Sequence, residues 1–96
     1  YDFIIVGGKR PLNMISIENF ASASFEKKCD VVTGYSNYIT LRKAGDCKVY
    51  LYHTGAFFIE VYYSPTYQKV LMIRPFNDSK SLLPYAEMVS LADLSL

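Results

Sequence analysis

Two hydrophobic rhythms alternate along the chain, and the boundaries between them outline a fold. Asp2-Phe3-Ile4-Ile5-Val6 is a short apolar run halted by Gly7-Gly8, which predicts a first strand. Lys9-Arg10-Pro11 reads as a loop. From Asn13 to Lys28, Ile17, Phe20, Ala21, Ser24 and Phe25 recur at helical spacing. Asn13 or Ser16 can cap this predicted helix with a side-chain oxygen. Glu18 in its first turn and Lys27-Lys28 in its last suit the helix dipole.

After Asp30 the rhythm shortens. Val31-Val32-Thr33 predicts a brief strand ended by Gly34, and Tyr38 to Arg42 predicts another. Ala44-Gly45-Asp46 is a turn. Cys47 to His53 alternates Val49 and Leu51 with Tyr50 and Tyr52, Ala56 to Tyr63 follows as a strand, and Ser64-Pro65-Thr66-Tyr67 turns the chain into Val70 to Phe76. Closely spaced strands with no helices between them form an antiparallel meander, because parallel neighbours need long crossovers. In the last hairpin, Glu60 opposite Arg74 aligns Val61 with Ile73, Phe58 with Phe76 and Tyr62 with Met72. Apolar residues then face apolar ones, whereas a one-residue slip sets Glu60 against Ile73.

The tail is helical again. Ser81 caps a helix with Pro84 in its first turn and a stripe of Leu82, Tyr85, Ala86 and Val89, and Ser90 can cap a further turn over Leu91 to Leu94. The predicted architecture is a single α+β domain over residues 1–96: strand, helix, antiparallel meander of about four strands, C-terminal helix.

Composition sharpens this picture. Aromatic residues reach 16%, from nine Tyr and six Phe without Trp, which fits half-buried sheet surfaces and contact faces. Ten basic and nine acidic residues nearly cancel, and the basic ones are scattered, so nucleic acid is disfavoured as a partner. No apolar run approaches the ~18–20 residues of a membrane span, and no secretory-signal pattern opens the chain. A cytoplasmic location is expected. Cys29 and Cys47 are too few for a disulfide framework and read as reduced thiols, with a bridge between them left open.

Candidate chemistry is thin. Tyr1 to Gly8 resembles the start of a dinucleotide-binding strand and loop, but Lys9-Arg10-Pro11 stands where a third glycine and a helix start are required. No cofactor is expected. His53 is the single histidine, and Cys47 lies six residues earlier on the same strand, about 20 Å away at strand rise. It reads as a partly buried strand-end residue, since no triad surrounds it. Neither Cys-x-x-Cys nor His-x-x-x-His spacing occurs, so no metal site is expected. Glu60 interrupts an apolar strand. Opposite Arg74 it reads as a cross-strand ion pair of the kind that is worth little when exposed.

The strands carry large apolar groups on both faces, assigned as Val49, Leu51, Ile59, Val61, Leu71 and Ile73 against Tyr50, Tyr52, Phe58, Tyr62, Met72 and Phe76. A sheet with one wet face alternates more cleanly than this. The second set is therefore the expected interaction surface, with a homodimer the leading partner and another protein a further option. The chain thus reads as a non-catalytic interaction or assembly module. The alternative is a small-ligand or enzymatic site using His53, Glu60 and Arg74, and a third reading is single-stranded nucleic-acid binding by the sheet tyrosines over a thin groove of Arg42, Lys48, Lys69 and Arg74.

Phe57 to Tyr63, Ile73-Arg74-Pro75-Phe76 and Leu82-Leu83-Pro84-Tyr85 together resemble small bacterial proteins in which an Ile-Arg-x-Phe strand end leads into a Leu-x-Pro-Tyr helix. The resemblance covers roughly the last half of the chain. It implies a shared fold element and a bacterial origin, and no activity.

Overall fold

The computed structural model describes residues 15–86. The strand expected at Asp2–Val6, with its glycine loop, and the helical turn expected at Leu91–Leu94 lie outside the described residues, as does Val89. Within them the order is α1 (Ile17–Ala21), α2 (Phe25–Tyr35), β1 (Asn37–Ala44), β2 (Cys47–His53), β3 (Phe58–Ser64), β4 (Lys69–Phe76) and a 3-10 segment (Ser79–Tyr85). This is an α+β arrangement on a four-stranded antiparallel sheet of order β1-β2-β3-β4.

The single helix expected over Asn13–Lys28 is two helices. Ser16 caps α1 by accepting from the Asn19 N–H at 3.0 Å, and Ser24 caps α2 by accepting from the Lys27 N–H at 3.1 Å. Between them the Ser22 hydroxyl donates back to the Glu18 carbonyl at 3.2 Å, so the polar Ser22-Ala23-Ser24 stretch ends one helix and starts the next. The strand expected at Val31–Thr33 is instead the interior of α2. Burial overrides β-propensity there, since Val31 and Val32 pack into the core with Phe20 and Phe57. The helix stops where the buried Ser36 hydroxyl donates to the Val32 carbonyl at 2.7 Å.

The meander follows the expected turns. Gly45 holds a φ of +62° in the two-residue loop between Ala44 and Cys47, a conformation that strains any residue with a Cβ. Thr54 closes the next turn: its N–H donates to the Phe57 carbonyl at 3.0 Å, and its hydroxyl oxygen accepts from the Ala56 and Phe57 N–H groups, both at 3.1 Å. The β3–β4 register is the expected one, with Phe58 opposite Phe76, Glu60 opposite Arg74, Val61 opposite Ile73 and Tyr62 opposite Met72. Pro75 sits on the edge strand, where a missing N–H breaks no ladder.

Two cores result, one on each face of the sheet. Phe20, Val31 and Val32 from the helices meet Phe57, Ile59 and Ile73 on the first face. Leu51, Phe58 and Phe76 meet Leu82 and Tyr85 of the 3-10 segment on the second. The C-terminal helix expected from Ser81 is thus, within the described residues, only this 3-10 piece. Its cap is Asp78, whose carboxylate accepts from the Ser81 N–H at 2.9 Å. Cys29 on α2 and Cys47 on β2 are free thiols. Among the described residues no helix is long and apolar enough to cross a membrane.

Candidate functional site

The sheet register decides which side chains can act together. Across β2 and β3, Leu51 faces Glu60, Val49 faces Tyr62, and Tyr52 faces Ile59. Tyr50 and Tyr52 therefore share a face with Ile59 and Val61, while Val49 and Leu51 share the other with Phe58 and Tyr62. The expected interaction surface of Tyr50, Tyr52, Phe58, Tyr62, Met72 and Phe76 is accordingly split. Tyr50 and Tyr52 lie on the helix-bearing face, and the other four belong to the face beneath the 3-10 segment. Phe58 and Phe76 are moreover buried, their rings stacked at 5.2 Å. The physical cause is a one-residue difference in register across the Thr54–Phe57 turn, which reverses every side chain of one strand relative to its neighbour.

The second face is closed around Glu60. Only 1% of this side chain is exposed. Its Oε2 accepts from Tyr85 Oη at 2.6 Å and from an Arg42 terminal N–H at 3.2 Å, and its Oε1 accepts from Arg74 Nε at 3.1 Å and from Tyr62 Oη at 3.4 Å. The expected cross-strand pair of Glu60 and Arg74 is present, and it is a buried carboxylate between two guanidiniums. Arg42 lies over the Tyr85 ring, 5.2 Å from its centroid, and its buried Nε has no hydrogen-bond partner. Burial, and then the bond to Glu60, push the Tyr85 phenol far above its ordinary range, so it remains a hydrogen-bond donor. Burial opposes the charge on Arg42, but the bonds to Tyr85 and Glu60 outweigh it and raise the pKa. Both carboxylate oxygens of Glu60 are engaged. The cluster joins β1, β3, β4 and the 3-10 segment, which makes it a structural clamp.

His53 lies on the same face as this clamp, opposite Phe58. Its ring lies against Phe58 at 4.4 Å between centroids, and its Nδ1 accepts from the Gly55 N–H at 3.2 Å. Burial lowers its pKa. Of the expected trio of His53, Glu60 and Arg74, the structure brings together Glu60 and Arg74 and occupies His53 with the β2–β3 turn. Among the described residues no group of three or more His, Cys, Asp or Glu side chains is placed to hold a metal ion.

The first face is open where the helices end. Tyr50, Tyr52, Val61, Tyr63 and Val70 line a shallow groove of about 230 Å³. Beside it Tyr38, 52% exposed, packs its ring against Tyr52 at 5.8 Å, edge-on, and against Tyr50 at 6.3 Å. Burial first, and then the neighbouring Tyr38 and Tyr50, raise the Tyr52 pKa, so this ring keeps its phenol proton. Tyr38 and Tyr63 were not singled out from the sequence. The available signal was period-two spacing along each strand, but the bulge between Tyr38 and Thr40 shifts Tyr38 opposite Tyr52. Arg42 and Tyr85 were likewise missed as partners of Glu60, and both lie far from it along the chain.

The chain matches no protein-family model, no curated protein and no solved structure.

Proposed function

We propose that this domain is a non-catalytic interaction module that works through the tyrosine face of its sheet. The observation carrying this reading is the contrast in occupancy. Glu60 is buried with both carboxylate oxygens engaged, whereas Tyr38, Tyr50, Tyr52 and Tyr63 lie in or beside a shallow open groove. Tyrosine suits such a surface because a large rigid ring is ordered at low entropic cost and its hydroxyl tolerates both water and a partner. A shallow groove lined by phenols and valines supports recognition of a flat or apolar group.

Self-association is the first form to test, by light scattering over a concentration range with wild type and Tyr50→Lys. A dimer that dissociates in a still-folded variant supports contact through this face. A dimer that survives the substitution puts the contact elsewhere and overturns the reading. A monomer at every concentration removes self-association and leaves the face to an unlike partner.

A further inference from the structure

The near-zero net charge of the chain conceals a strong separation of charge within the sheet. Glu60 is the single acidic residue in the four strands, against Arg42, Lys43, Lys48, Lys69 and Arg74. It lies on the clamp face, where it engages both arginines. The tyrosine face is left without a carboxylate on any strand. Alternation along β1 and β2 puts Lys43 and Lys48 on that face, in line with Leu41 and Tyr50. The register sets the two lysines directly opposite each other, with Tyr63 opposite Lys48 on the next strand. Both are exposed. Like charges directly opposed across strands are destabilising, and the nearest acid along the chain is Asp46 in the turn between them.

We infer that the tyrosine face binds single-stranded nucleic acid, with bases against Tyr38, Tyr50, Tyr52 and Tyr63 and the phosphate backbone on Lys43 and Lys48. This rests on the reading of that face as the working surface and names its partner. Sheets that hold single strands combine stacking rings with a cationic track, and both are present here on one face. The groove, at about 230 Å³, is smaller than the usual pocket of a drug-sized molecule and suits a ring inserted from an extended chain. The four strands of a second copy would bring no carboxylate from their tyrosine face to these lysines. An acidic peptide would satisfy the lysines and leave the ring array without a purpose.

The test is a fluorescence-anisotropy titration of the full chain with a labelled oligothymidylate of about ten nucleotides, within the range one such platform covers. Two phosphate contacts on a single strand give a log–log salt slope of about −1.4, so affinity falls about sevenfold between ~50 and ~200 mM salt. Lys43→Gln with Lys48→Gln flattens that slope. Tyr50→Leu keeps the groove apolar and weakens binding about fivefold or more at every salt concentration. A thermal melt of each variant checks that it is folded. The inference is overturned by absent binding, by equal binding of duplex, by displacement with oligoglutamate, or by folded variants that bind as wild type. Absent binding alongside a Tyr50-dependent dimer removes only the partner assignment. Absent binding by a monomeric chain overturns this inference and removes self-association with it.

Discussion

The two faces of the sheet solve the problem of covering aromatic surface in opposite ways. On one, a short 3-10 segment lays Leu82 and Tyr85 over Leu51, Phe58 and Phe76, and a buried carboxylate draws the edges inward. On the other, Phe20, Val31 and Val32 of α1 and α2 pack on Ile59 and Ile73, with Tyr52, Val61 and Val70 at the margin, and the cluster does not include Tyr50 or Tyr63. On the closed face Glu60 receives four side-chain donors. On the open face Tyr38, Lys43 and Lys48 are exposed, and Tyr50, Tyr52 and Tyr63 are half-buried. The difference teaches that aromatic content alone does not mark a contact surface. What marks it is whether the fold itself has already engaged the polar groups beside the rings.

The largest expected effect attacks the closed face. Glu60→Ala leaves two guanidiniums facing each other, and breaking a buried pair in this way costs about 3–5 kcal/mol. The lower end applies here, because Arg74 is 40% exposed and partly screened. Urea unfolding measures the loss. Adding Arg42→Met to that variant should restore part of it; if the two losses simply add, the clamp is not a coupled unit. Next comes Tyr85→Phe, which removes a 2.6 Å bond to a charged acceptor and should cost about 1.5–3 kcal/mol. A melt unchanged from wild type would mean that the 3-10 segment is held by Leu82 packing alone.

Smaller effects separate the faces further. Burial lowers the folded-state pKa of His53, so as pH falls through its unfolded value of about 6.5 the unfolded chain takes up the proton first. Stability is therefore full above that value and declines below it. His53→Gln should flatten the melting temperature between about pH 7.5 and 5.5, and an unchanged profile would assign the acid sensitivity to another group. Further down, Asp78 acts in the same direction. Its hydrogen bonds with Ser81 hold its pKa below the ordinary value, a stabilisation lost only as pH falls through the carboxylate range. The smallest effect is on the open face. Lys48→Gln relieves the opposition to Lys43 and should leave stability unchanged or raise it by a few tenths of a kcal/mol. A clear loss of stability would show that the lysine pair serves the fold rather than a partner.

Much of the fold is legible along the chain, for local reasons. The limits of β2, the turns at Gly45 and Ser64, and the pairing of Glu60 with Arg74 follow from alternation and turn chemistry acting over a few residues. Ser16 caps a helix as its residue type suggests. The helix interior at Val31–Val32 reads as a strand because β-branched residues favour one locally, and only contact with Phe20 and Phe57 reverses that preference. The candidate surface is legible only in part. Tyr50 and Tyr52 stand out by composition, but Phe58, Tyr62, Met72 and Phe76 join them only if the β2–β3 register slips by one residue.

The sequence by itself thus determined the α+β class, the antiparallel meander and the cross-strand pairing of its last hairpin, because period-two patterning and tight turns act between near neighbours. The tertiary structure alone decided that Glu60 is buried between Arg42, Arg74 and Tyr85, and that Tyr38 and Tyr63 flank Tyr50 and Tyr52 beside two opposed lysines. Those groupings depend on register summed across three strands and on where a distant segment packs. A single bulge or one-residue shift in a turn changes the face on which every later side chain lies.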